Sequence, residues 1–592
     1  MTMRFLRGAA WFLAGAAITL AGQLSQRTQL EEYNAEVRKT IVELQQFRQT
    51  NTIRIRSTDR KEGAVSLVSL NPAINVWFLL KIEWNGASPA NVYHLENTKP
   101  AANRLLLDDK YPTGIVIASG SGRYLCDLSL AGDAGALEQA RNSARVFYPL
   151  CGGRVYLRNA AKGNRTTLEA TTEFLRDHVW GGEAIISLGH TLLGERNRET
   201  GELRPNVPAA PGTNRDEGPA GFPLAAAIDR RYADRLLTAG NLGMELEGAG
   251  RAGMTPGLWY AAAGNPGIFV SILQANLIVP ALLQSYPARV NRLDNVEASA
   301  LCYLLAFDLD RFDLGYALGT EHPRVEWSGH MRVEMKKPGL PGPDGIGSIA
   351  PLVSSGLVSP EHSARTVATF TGGFKRAHGA FQFGELSLRN FGSHYGFIED
   401  GVVFSKLQPG LSTVFVTADN AAGMKTWSEQ DNAMLARIKH ARQNGVPLID
   451  FDAAAQSPAP GVLVSRWGPG NWSGSADERL RTMRSGVALQ KNRGKRFLIY
   501  AVFSDATPSA MARVFQAYAC DYAMLLDMNA LEHTYAAVYR RSGSKMAVDH
   551  LIRGMSDLDK TVAGEIVPRF LGFPDNRDFF YVMTRRTKEI GK

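Results

Sequence analysis

Cysteine is scarce in this chain, four among 592 residues, and no Cys/His pair falls at the spacing of a zinc site. That excludes metal chemistry through thiolates, and neither a metal nor a cofactor is expected. The sequence has no Gly-x-Ser-x-Gly elbow, P-loop or dinucleotide fingerprint, so the common serine-hydrolase, kinase and dehydrogenase readings fall away. Long runs of Lys or Arg are also missing. The 66 basic and 57 acidic residues, a net charge of +9, are spread along the chain. Such a bias suits anionic glycans or lipid headgroups, and nucleic acid is not an expected partner. Beyond the N-terminus no apolar run is long enough to span a bilayer. Ile268 to Leu283 comes closest, but Gln274, Asn276 and Pro280 interrupt it, so it reads as buried core.

What is present begins at the N-terminus. Arg4 and Arg7 precede an apolar stretch from Gly8 to Gly22, the pattern of an export signal. Residues 1–24 therefore read as a signal peptide or as an uncleaved anchor, with the bulk of the chain periplasmic or extracellular. Leu30, Tyr33, Val37, Thr40, Leu44 and Phe47 recur at spacings of three and four, which predicts an amphipathic helix over 25–52. That helix either packs on its own domain or forms a membrane-proximal homodimer stalk. Export makes a disulfide between Cys126 and Cys151 plausible, while Cys302 and Cys520, inside apolar runs, read as buried thiols.

The hydrophobic content of 45% is enough for two or three domains with full cores. Residues 53–204 alternate strand-like runs (Val65 to Leu70, Val76 to Trp84, Gly114 to Ala118, Arg154 to Leu157) with helices over Gly135 to Val146 and Arg165 to Val179. They read as an α+β domain of unknown role. Residues 205–223 form a Pro/Gly-rich linker or loop, 224–296 a connecting region, and 546–592 a C-terminal extension. Two further helices are expected, Ser428 to Asn444 and Pro508 to about Ala519, the second capped by Thr507. The expected fold class is α+β, multi-domain, with mixed sheets and flanking helices.

Four segments of the last three hundred residues carry the functional signal. Cys302 to Leu309 and Phe312 to Leu318 read as strand, tight turn and strand. Val367 to Phe374 is an apolar strand that runs into Gly372-Gly373. Arg484 to Leu489 is a strand entered by a basic residue, followed by the strand Phe497 to Phe503. Asp521 to Asp527 is an apolar strand that ends on a carboxylate. In order and in kind these segments, over roughly residues 297–545, resemble the phosphodiester glycosidase family. One departure stands out: the family follows its strand-terminal Asp with glycines and then Ser or Thr, whereas Asp527 is followed by Met528-Asn529-Ala530-Leu531-Glu532-His533.

The resemblance implies an exported hydrolase that cleaves a sugar-1-phosphodiester in an envelope or extracellular glycan, with a carbohydrate or sugar-phosphate polymer as partner. Such a reaction passes through an oxocarbenium-like state, needs a group to activate water, and needs cations or N–H groups around the departing phosphate. Asp527, Glu532 and His533 are the catalytic candidates. Gly372 and Gly373, whose backbone could approach a phosphate, are substrate-binding candidates with Lys375, Arg376 and Arg484 as cations and the loop aromatics Trp467 and Trp472 as a stacking surface for sugar. Each has an ordinary use as well: a turn cap, a strand-end bend, a solvated charge, a packed ring. The rival reading is a catalytically inactive descendant of the fold that acts as a glycan-binding or cell-envelope assembly protein. A membrane-anchored scaffold is a third.

Overall fold

The computed structural model describes residues 39–586 apart from 87–88, 133, 168, 172–198, 206–219, 250–252, 330, 332, 334–335, 337–340, 377–378, 380, 382–385, 387–394, 467–478 and 544. Strand accounts for 42% of the structure and helix for 15%, in seven antiparallel sheets. The fold is therefore β-rich, which corrects the expected α+β class with flanking helices. Two expected helices dissolve. Residues 40–47 lie in turns and Gln49–Arg56 is a strand, so the helix predicted over 25–52 is absent there; its earlier part falls outside the described residues. Ser428 does open a helical segment, with Asp431 accepting from its backbone N and its Oγ. That segment is a 3₁₀ stretch, Glu429–Arg437, followed by the strand Ile438–Gln443. A helix does form over Gly135–Arg141, shorter than expected, and the one expected from Arg165 runs mostly outside the described residues.

Two sheets pack face to face as the main core. One has eight strands, in the order Tyr260–Ala261, Ile268–Gln274, Leu301–Asp308, Lys495–Ala506, Thr482–Asn492, Tyr522–Met528, Pro447–Asp452 and Ser457–Pro460. The other has six, in the order Leu242–Gly243, Lys545–Ile552, Ala536–Ser542, Thr366–Thr371, Phe579–Thr584 and Phe312–Ala317. Phe370 of the second sheet stacks on Phe307 of the first, with ring centroids 6.2 Å apart, and meets Tyr500 at 4.6 Å. Strands covered on both faces need no polar alternation, and Leu301–Asp308 and Tyr522–Met528 are buried at every residue. The strands Leu301–Asp308 and Phe312–Ala317 do not pair with each other; the turn at Asp308 to Arg311 carries the chain from one sheet to the other. Residues before 297 and after 545 also supply strands to these sheets.

The helix Pro508–Ala517 packs on the eight-stranded sheet. Thr507 Oγ1 accepts from Ala510 N, and Pro508 occupies the first turn, where its missing N–H costs nothing. Gly486 makes this packing close: a Cβ there would come within 2.9 Å of Met511 and 3.2 Å of Phe515. Each of those buried side chains contributes roughly 1.5–3 kcal/mol. The helix then leads the chain into strand Tyr522–Met528.

Residues 49–158 form a separate apolar cluster around a six-stranded sheet and a three-stranded one, with Ile53, Val65, Leu80, Leu95 and Ile115 at its centre. Cys126 and Cys151 are joined by a disulfide. Cys302 and Cys520 are buried free thiols. This region meets a five-stranded sheet (Val402–Ser405, Phe397–Glu399, Ile438–Gln443, Ser412–Thr417 and Ala422–Thr426) at a buried polar joint. Trp77 packs edge-on against Phe404, and Asn71 Nδ2 donates to the carbonyls of Gly401 and Ala436. Arg158 holds Glu96 at 2.5 Å and reaches Glu399 at 3.8 Å. Ser359 Oγ donates to Glu96 as well. Among the described residues no helix is long and apolar enough to cross a membrane.

Candidate functional site

The site is built where the end of strand Tyr522–Met528 meets the entry to strand Phe579–Thr584. Asp527 is buried, and both its oxygens are engaged: Oδ1 accepts from Met528 N at 2.8 Å and Oδ2 from Arg577 Nη1 at 2.6 Å. Ser485 Oγ on the neighbouring strand bonds the Asp527 backbone, which fixes the strand end. Glu532 and His533 follow in the 3₁₀ turn Leu531–His533. His533 Nδ1 donates to the Met528 carbonyl at 2.6 Å, and its Nε2 lies 3.3 Å from Glu532 Oε1. Thr166 Oγ1 donates to the other Glu532 oxygen, and Arg569 holds the Glu532 carbonyl at 2.7 Å.

Arg577 is the hub. Its second terminal nitrogen, Nη2, donates to Glu169 Oε1 at 3.0 Å; Lys375 Nζ reaches the same oxygen at 2.9 Å and Asn576 Nδ2 at 3.0 Å. Burial alone would raise the Glu169 carboxyl, but the charges of Arg577 and Lys375 overcome it and hold the group far below the usual carboxylate range. Burial likewise works against the Arg577 charge, and Glu169, Asp527 and Glu532 reverse that, so its guanidinium is held firmly ionised. Glu532 follows Glu169: burial pushes it up, and His533 and Thr166 bring it below its ordinary value.

Behind this layer lies a second one. Asp578 accepts from Arg442 Nε and Tyr316 OH, both at 2.9 Å, and faces His322 Nδ1 at 3.3 Å. Burial drives the His322 imidazole down to about 4, only partly offset by Asp578, so the ring is neutral at pH 7. The glycine pair admits this layer: a Cβ on Gly372 would sit 2.3 Å from the Asp578 carboxylate, and one on Gly373 would sit 2.7 Å from the Arg442 guanidinium. Gly372 N–H donates to the Asp578 carbonyl, so the pair serves close approach of buried charge.

Of the residues singled out from sequence, Asp527, Glu532, His533 and Lys375 thus share one network, with Gly372 and Gly373 at its back. Arg376 turns away to pair with Asp344, which also accepts from Ser405 Oγ at 3.3 Å; burial lowers its guanidinium to about 9. Arg484 is fully buried and donates to the carbonyls of Ala506 (2.9 Å) and Leu480 (2.8 Å) and to Met528 Sδ (3.1 Å), tying a strand end in place beside the network without reaching its carboxylates. Burial brings it to about 10 against the pull of Glu297 and Asp505. Trp467 and Trp472 fall outside the described residues. The sequence reading missed Glu169, His322, Asn576, Arg577 and Asp578. One local signal existed: Asp575-Asn576-Arg577-Asp578, four polar residues directly ahead of the apolar strand Phe579–Thr584.

No protein-family model matches this chain, and no curated protein matches it. Among solved structures it is similar to the catalytic domain of zebrafish N-acetylglucosamine-1-phosphodiester alpha-N-acetylglucosaminidase, described as auto-inhibited by its pro-peptide. The match has 10% identity and a TM-score of 0.28, covering 62% of this chain and 96% of that one.

Proposed function

We propose that this protein is an exported hydrolase of the phosphodiester glycosidase type, cleaving a sugar-1-phosphodiester in an envelope or extracellular glycan. The observation that carries this reading is that Lys375 and the segment Asp527 to His533, two candidates distant in sequence, meet in one buried network: Arg577 bonds Asp527 and Glu169, Lys375 bonds the same Glu169 oxygen, and His533 lies against Glu532. Lys375 and Arg577 supply the positive charge that a departing phosphate requires, and Asp527 or Glu532 supplies a carboxylate for activating water. His533, bonded to the carbonyl next to Asp527, fixes the turn that presents Glu532.

The test is hydrolysis of a panel of sugar-1-phosphodiesters by the parent chain and by Asp527→Asn, which keeps shape and removes charge. The expected result is turnover by the parent that falls about a hundredfold or more in the variant. Turnover unchanged in the variant would remove Asp527 from the mechanism.

One observation favours the rival, a non-catalytic glycan-binding or envelope-assembly protein. Both Asp527 oxygens are already committed, and Met528 stands where the resembled family has glycine. Absence of turnover by a folded parent that still retains glycan on an affinity column selects that reading.

A further inference from the structure

Glu169 is the odd member of the network. Three donors converge on its single oxygen Oε1: Lys375 Nζ at 2.9 Å, Asn576 Nδ2 at 3.0 Å and Arg577 Nη2 at 3.0 Å. The donors belong to the main core, since Lys375 follows strand Thr366–Thr371 and Asn576 and Arg577 lead into strand Phe579–Thr584. Glu169 does not. It arrives on residues 163–167 and 169–171, which lie outside both main sheets and are pinned at several points. Asn164 N donates to the Pro574 carbonyl at 2.9 Å, Arg165 pairs with Glu321, and Thr166 donates to Glu532. The fit is close at Gly163, where a Cβ would lie 2.1 Å from Thr320 Oγ1 and 2.7 Å from Asn576 N.

A carboxylate can take about four donors shared over two oxygens, but here three charged or polar donors crowd onto one, and donors converging on one point from separate chain segments also suit the spread oxygens of a phosphoryl group. The surroundings are correspondingly under-bonded. Among the described residues, Asn576 Oδ1, Arg577 Nε and His322 Nε2 are buried without a hydrogen-bond partner, and such groups in a native interior mark a place for water or ligand. Glu169, Lys375, Asn576, Arg577 and Asp527 are all below a tenth exposed, so a ligand reaches them only when a covering segment moves, and the one that carries Glu169 lies outside both main sheets.

We propose that Lys375, Asn576 and Arg577 form an oxyanion cradle for a phosphate ester, and that Glu169 is a built-in competing anion that fills it. The described segment that carries Glu169, residues 163–167 and 169–171, must withdraw before a phosphoryl ligand enters. This deepens the hydrolase reading and rests on it for the ligand's identity as a sugar phosphodiester, but the cradle is measurable without turnover. A ligand that binds only the withdrawn form has its apparent affinity reduced by the fraction withdrawn.

The experiment is calorimetric titration of inorganic phosphate into the full chain, into Glu169→Ala, and into Glu169→Ala combined with Lys375→Met, with folding checked by circular dichroism. Phosphate is expected to bind the single variant about tenfold or more tighter than the parent, and the double variant is expected to lose that gain. A folded Glu169→Ala protein whose phosphate affinity equals the parent's overturns the proposal. If Glu169→Ala does not fold, Thr166→Ala decides: it leaves the cradle and the Glu169 carboxylate in place and removes two bonds that hold the segment, from Thr166 Oγ1 to Glu532 and from Glu169 N to Thr166 Oγ1. A severalfold gain in phosphate affinity supports the proposal, and no gain overturns it. Diester hydrolysis without any gain in phosphate affinity would remove the competing anion and keep the hydrolase. Tighter phosphate binding without hydrolysis would keep the cradle and remove the hydrolase.

Discussion

The network around Glu169 and the joint around Glu399 are both buried clusters of carboxylates and guanidinium, and they ionise in opposite ways. At the first, Lys375, Arg577 and Arg569 serve Glu169, Asp527 and Asp575, and the charge on Glu169 is strongly favoured. At the second, Arg158 is shared between Glu96 and Glu399, with Asp400 next in the chain. Burial there raises Glu399 to about 8, with Arg158 opposing and Asp400 and Glu96 reinforcing; burial raises Asp400 to about 6. His440, His94 and His362 nearby are pushed down by burial and bring no positive charge. The ratio of cation to carboxylate, more than depth, decides whether a buried acid keeps its proton.

The largest effect is expected from breaking the balanced cluster. Arg577→Met strands Glu169 and Asp527 without their shared partner and should cost about 3–5 kcal/mol in urea denaturation; a loss near zero would erase the contrast. The pH dependence comes next. Glu399 holds its proton more tightly folded than unfolded, so its contribution is complete below its ordinary value of 4.5 and is lost as pH rises toward 8. Asp400 acts in the same direction up to about 6. Glu169, held below its ordinary value, has the opposite sign: its contribution is present above 4.5 and is lost on acidification. Between pH 5 and pH 8 Glu399 thus pulls stability down as pH rises, while the buried imidazoles of His322, His94, His362 and His440 pull it up below their ordinary value of 6.5; Glu399→Gln, which removes only the first effect, should gain stability relative to the parent across that range by at most about 1.4 kcal/mol per pH unit. A parent and variant with parallel profiles would show that Glu399 is ionised throughout. The smallest effect belongs at the rim, where Arg165 and Glu321 form a pair more than a third exposed. Arg165→Ala should cost no more than about 1 kcal/mol, since water already screens that pair; a larger loss would mean that the rim is part of the buried cluster.

Much of this architecture was legible from local pattern. The strand ending at Asp527, the capped helix after Thr507 and the pairing of Cys126 with Cys151 all appear where the sequence pointed. Ser428 to Asn444 misled because its cap is genuine while its continuation is not: strand Ile438–Gln443 is central in its sheet, and Arg442, His440 and Gln443 are buried against side chains distant in sequence, Asp578 for Arg442 being 136 residues away. A polar strand with satisfied side chains looks like a solvated helix. Class was misjudged for the same reason, since apolar runs that cover one another need no helices to cover them. Glu169 and Arg577 escaped the sequence because their meeting joins positions 408 residues apart, and the polar run Asp575 to Asp578 marks only one end of it.

Strand Phe579–Thr584 lies inside the six-stranded sheet, between Thr366–Thr371 and Phe312–Ala317, and the residues just before it complete the charge network. During synthesis, then, the earlier strands emerge with a gap in their midst, and neither the main core nor the site can close until residue 584 has left the ribosome. A nascent chain of this design holds its main core open until this strand emerges, which leaves it dependent on chaperones that shield apolar surface. Truncation inside the main core, between strand Leu301–Asp308 and this strand, would then yield an aggregating product, not a smaller folded one.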